Sequence, residues 1–150
     1  MLLSVLPDTS TITNTKRPHD RAPGADGQGR GVLQSMTRLA IIGQREHPRG
    51  RLYDLRVGEQ SVSALLTFHA LQRMERWRLS DRQTLQALLF PEEVLRGHGG
   101  RFIAHRRIRA RLIRAVYEYD GELPAVITVY SPLAKRYFRG GGRYEDRILA

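Results

Sequence analysis

The segment Arg101 to Arg114, RFIAHRRIRARLIR, constrains the fold more than any other stretch of this chain. It carries six arginines and one histidine, with Phe102, Ile103, Ala104, Ile108, Leu112 and Ile113 threaded between them. A disordered basic tail would lack the apolar residues, and a fully buried strand would lack the cations. The segment needs one apolar face against a core and one cationic face, and that points toward phosphate. Strands are predicted over Arg101–Ile108 and Arg111–Tyr119. An Asp120-Gly121 turn then leads into a third strand, Ala125–Tyr130, rich in Val, Ile, Thr and Tyr. An arginine-rich helix over 101–118 competes, because Ile108, Leu112 and Ala115 also fit helical spacing. Strands are preferred because they give Ala125–Tyr130 pairing partners.

Side chains alternate across a strand. A self-consistent sheet then packs Phe102, Ala104, Ile113, Ala115, Ile127 and Val129 against helices. Its other face shows Arg101, His105, Arg107, Arg114, Glu118, Thr128 and Tyr130. The inference holds as long as no bulge shifts the parity.

The helices come just before. Thr67 caps one through Arg78, with Leu71, Met74 and Trp77 or Arg78 at helical spacing. Ser80 and Gln83 form a capping box opening a second, with Leu85, Leu88 and Leu89 on one face and Pro91 at its end. Residues 37–60 suggest a β-hairpin, with Leu39–Ile42 and Leu52–Val57 flanking a turn at His47–Gly50. Residues 1–36, rich in Pro, Gly, Thr, Asp and Arg, read as a disordered tail or as a mis-assigned start, with Met36 the alternative initiator. Gly140–Gly142 reads as a loop. The domain proper is 61–150.

A net charge of +10, with 23 of 25 cations arginine, favours an anionic partner. Arginine-biased codon usage would give the same composition. The absence of cysteine excludes disulfides, thiolate catalysis and thiolate zinc sites. No segment has the length of a membrane helix, and Met1–Leu6 is too short for a signal h-region. The expectation is a soluble, cytoplasmic protein with no membrane partner, no metal and no cofactor.

Metal-free RNA cleavage needs a base for the 2′-OH, an acid for the leaving oxygen, and cations for the phosphorane. His105 or Glu118 supplies a base, Arg107 and Arg114 the cations, and Tyr130 a donor or stacking ring. Arg101, His69, Arg73 and Lys135 are candidate nucleic-acid contacts. The same groups also fit a solvated basic sheet, with His69 and Arg73 merely on a helix face.

Residues 66 to 147 resemble a small bacterial domain. The resemblance rests on F-H-A-L-Q-R-M at 68–74, L-S at 79–80, P-E-E-V at 91–94, G-R at 100–101, R-R-I at 106–108, L-I-R-A-V-Y-E at 112–118 and I-T-V-Y at 127–130. The domain-of-unknown-function family numbered 4258 is the one they resemble, a family thought related to RelE/ParE-type toxins and barnase-like nucleases. The resemblance implies an α+β fold, with two N-terminal helices packed on a three- to four-stranded antiparallel sheet. It places the family's helix histidine at His69, the following arginine at Arg73, and its basic strand positions at Arg101, Arg107 and Arg114. Where the family usually has a glycine-containing turn after R-I, this chain has Arg109 and Ala110. The implied function is a toxin-like, metal-independent endoribonuclease acting on mRNA, including ribosome-bound mRNA, and restrained by an acidic antitoxin. The alternative is a non-catalytic nucleic-acid or protein-binding module, ParE-like or a degenerate family member.

Overall fold

The computed structural model describes residues 38–140, 143–146, 148 and 149. The expected tail over 1–36 lies outside the described residues.

The elements run β1 (Ala40–His47), β2 (Gly50–Val57), β3 (Gln60–Thr67), α1 (Phe68–Trp77), α2 (Asp81–Leu89), β4 (Glu93–Arg96), β5 (Phe102–Ile108), β6 (Arg111–Asp120), β7 (Leu123–Tyr130) and the single turn α3 (Ala134–Tyr137). The strands form one seven-stranded sheet in the order β1-β2-β3-β7-β6-β5-β4. Neighbours are antiparallel except β3 and β7, which run parallel through Leu65↔Ala125 and Leu66↔Val126.

This corrects the expected two helices on a three- to four-stranded antiparallel sheet. The sheet is larger and mixed, and the helices are inserted between β3 and β4 rather than leading the domain. The missed strands are β3 and β4, and β3 is the longer. Its half Ala64–Leu66 is buried on both faces, and such an unbroken apolar run cannot be told from the start of a helix by periodicity. Strand β4, only four residues long, is too short to show a pattern.

The helices form as their caps dictate. The Thr67 hydroxyl accepts from the Ala70 N–H at 3.2 Å and donates to the Val126 carbonyl at 2.8 Å, tying the start of α1 to β7. Ser80 and Gln83 make the reciprocal box, with Gln83 N–H to Ser80 Oγ at 3.0 Å and Ser80 N–H to Gln83 Oε1 at 2.9 Å. Such caps contribute about 1 kcal/mol each.

Ala70, Met74, Leu85, Leu88 and Leu89 pack against Tyr53, Leu66, Ala104, Ile113, Ala115, Tyr117, Val126 and Val129 to form the core. The expected inward set is thus met, with one exchange. The β6–β7 register shifts between Val116↔Thr128 and Tyr117↔Val126, so Ile127 is the extra residue of a bulge. Val126 takes the core position expected of Ile127. After β7 the chain passes to the opposite face of the sheet. There Ala134 N–H donates to the Ala110 carbonyl and Leu112 N–H to Pro132, docking α3 beside the β5–β6 turn.

Candidate nucleic-acid interface

Four side chains from four adjacent strands lie in one transverse row. Glu93 is paired with His105, His105 with Arg114, and Arg114 with Tyr130. Residues opposite one another on neighbouring strands share a face. Register alone therefore puts a carboxylate, an imidazole, a guanidinium and a phenol side by side, on the face away from α1 and α2.

The row is bonded end to end. Glu93 Oε1 lies 2.8 Å from His105 Nδ1, His105 Nε2 lies 2.8 Å from Arg114 Nη1, and Arg114 Nε donates to the Tyr130 hydroxyl at 2.5 Å. A guanidinium can only donate, so Nε2 accepts, and the proton is assigned to Nδ1, which donates to the carboxylate. Burial, and then the nearby Arg114 charge, hold the His105 pKa below its ordinary value against the pull of Glu93. The imidazole is neutral at pH 7 and spans the two opposite charges.

Exposure rises along the row. His105 is 0% exposed and Glu93 2%, whereas Arg114 and Tyr130 are half-buried. The cover over the buried end comes from the segment after β7. The Phe138 ring meets the His105 ring edge-on at 6.5 Å, and the Arg139 N–H reaches Glu93 Oε1 at 3.4 Å. At the open end the Arg114 guanidinium carbon lies 4.7 Å from the Tyr137 ring centre and 5.6 Å from that of Tyr130. Arg107, farther along β5, lies over Phe138 at 5.6 Å. Cation–π contacts of this kind fix a guanidinium without neutralising it.

A guanidinium carries five N–H donors, and Arg114 engages two, leaving three. The Tyr130 hydroxyl, occupied as an acceptor, keeps its own proton to give. Together they can bind a phosphate oxygen pair, with the exposed Tyr137 ring beside them as a surface for a base.

The expected site residues divide into three groups. His105, Arg114 and Tyr130 meet directly, and Arg107 stands two residues along the same strand face. Glu118 lies on that face too, but at its far end, roughly 13 Å from Arg114 by strand rise. There it accepts from Arg101 Nε at 3.1 Å and faces Arg49 at 3.7 Å. His69 and Arg73 sit on α1, in the helix layer on the opposite face, with His69 exposed and Arg73 half-buried. Lys135 is exposed on α3, next to the row. Sequence reasoning missed Glu93, Tyr137 and Phe138. Glu93 belongs to the short strand β4, and the other two depend on where the chain after Pro132 returns.

Among the described residues no group of His, Asp or Glu could hold a metal ion. No helix among them is long and apolar enough to cross a membrane. Neither a curated protein nor a solved structure matches the chain. Residues 66–131, running from the end of β3 through β7 and including every member of the Glu93–His105–Arg114–Tyr130 row, match the family described as Domain of unknown function (DUF4258).

Proposed function

We propose that this protein binds single-stranded RNA, holding a backbone phosphate on Arg114 and Tyr130 with a base stacked at Tyr137. The observation that carries the proposal is the anchoring of Arg114. Its Nη1 and Nε edges are fixed by His105 and Tyr130, and aromatic rings flank it, while three N–H groups keep no protein partner among the described residues. Among the described residues no carboxylate forms an ion pair with it, unlike Arg45, Arg49 and Arg101. In this reading Glu93 and His105 are positioning residues. They hold Arg114 and do not touch the ligand.

The test is binding of a fluorescent octanucleotide RNA at several salt concentrations. Wild-type protein should bind with a log–log salt slope of about 0.7 per phosphate engaged. Arg114→Gln should weaken binding by roughly tenfold or more, as expected for a charge-assisted contact. Equal affinity in Arg114→Gln and wild type would overturn the proposal.

Cleavage of the bound strand, in a toxin-like endoribonuclease, is a second reading favoured by one observation. The Tyr130 hydroxyl accepts from Arg114 and can give its proton to a leaving oxygen beside that charge. A base is the weaker element, since His105 is enclosed and Glu118 lies a long way along the face. RNA that stays intact over hours in EDTA, alone and on ribosomes, would leave binding as the function. The ParE-like and antitoxin-restrained readings rest on the resemblance and the +10 charge alone.

A further inference from the structure

The arginines of the sheet are sorted along the strands. At the end holding the β6–β7 turn, Arg101 pairs with Glu118, and Arg49 with Glu118 and Asp120. At the opposite end, Arg107, Arg109, Lys135, Arg136 and Arg139 form no ion pair with a described carboxylate. These five come from two segments that the fold joins. The β5–β6 turn, Arg109-Ala110, is bonded to α3 through Ala134 N–H and the Ala110 carbonyl at 2.9 Å, and Arg111 bridges to Leu133.

The tip of that turn is strained. Arg109 has φ of 57°, the left-handed region that L-residues disfavour by about 1–2 kcal/mol. Two non-glycine residues among those described share this feature. The other, Arg78, ends α1, where its N–H caps the helix through Glu75 and Met74. Arg109 stands first in the two-residue β5–β6 turn closed by the Ile108↔Arg111 pair, a position where hairpin geometry calls for positive φ and glycine is the usual residue. An arginine there keeps a strain that glycine would relieve, and the inference runs from that outlier to a role.

We infer that Arg109, with Lys135 and Arg136 of α3, forms a second phosphate subsite for the same RNA strand. This rests on the reading of Arg114 and Tyr130 as the first. From the Arg114 row to the Ile108–Arg111 row is roughly 10 Å by strand rise. That is more than one internucleotide step, so the ligand is an oligonucleotide rather than a nucleotide. Arg107, on the Phe138 ring between the two, lines the path.

The experiment compares wild type, Arg109→Gly and Arg114→Gln on a dinucleotide and an octanucleotide RNA, alongside thermal melts. Glycine relaxes the turn, so Arg109→Gly should melt at the same temperature as wild type or higher. It should nonetheless bind the octanucleotide roughly two- to fivefold more weakly, with a salt slope smaller by about 0.7. Arg114→Gln should lose affinity for both lengths. A higher melting temperature in Arg109→Gly with octanucleotide affinity and slope unchanged overturns the second subsite and leaves the first standing. Wild-type protein that binds neither RNA overturns both.

Discussion

The buried half of the row makes a sharp prediction through His105→Leu. Leucine fills much of the imidazole volume, so the loss is mainly polar. The Glu93 carboxylate, 2% exposed, gives up its 2.8 Å bond from Nδ1, while the Arg139 amide stays at 3.4 Å. A hydrogen bond to a charged group contributes about 1.5–3 kcal/mol. Removing one partner of a buried charged pair raises the total to about 3–5 kcal/mol. Arg114 also loses its Nε2 acceptor, but it is half-buried and water can replace that partner. Urea unfolding at pH 7, followed by the single tryptophan Trp77, gives the number. The double variant Glu93→Leu/His105→Leu removes both polar partners and should regain most of the loss, because an apolar pair of similar volume replaces a desolvated one. A single-variant cost under about 1 kcal/mol, or strictly additive costs in the cycle, would refute the buried relay.

Further outcomes follow from neighbouring geometry. His105 has a folded-state pKa below its unfolded 6.5, so its contribution is present above that pH and lost as pH falls below it. Wild-type stability should therefore drop from about pH 6.5 downward, and His105→Leu should show a shallower drop in paired urea melts. Gly50→Ala would put a Cβ 2.0 Å from the Leu66 carbonyl oxygen, forcing β2 from β3. A cost of about 3 kcal/mol is expected in the same melts. Asp146 accepts from both Tyr117 and Tyr119, so Asp146→Ala leaves the buried Tyr117 hydroxyl without that partner. It should cost about 1–3 kcal/mol. Burial pushes Tyr53 up to about 12 and Tyr117 higher than an ordinary phenol. An alkaline absorbance titration should show these two ionising above the ordinary phenol range.

What the sequence revealed of this fold follows the range of each signal. Caps are local, and Thr67, Ser80 and Gln83 mark the helix starts. Parity is also local, and it put His105, Arg114 and Tyr130 on one face before any contact was known. Sheet size is not local. The parallel pairing of β3 with β7 joins Leu65 to Ala125, far apart in the chain, and leaves no mark in the doubly buried run Ala64–Leu66. The bulge at Ile127 is likewise a matter of fit between strands. For the site, the row was legible and its depth was not. His105 reads from sequence as an exposed base, but the return of Tyr137, Phe138 and Arg139 across the sheet encloses it.

The decisive measurement is the salt dependence of RNA affinity for wild type against Arg114→Gln, with both proteins shown to be folded by their urea transitions. Phosphate binding at the anchored guanidinium predicts a steep wild-type slope and, in the variant, weaker binding with a slope reduced by about 0.7. Identical slopes and affinities in the two proteins would contradict it.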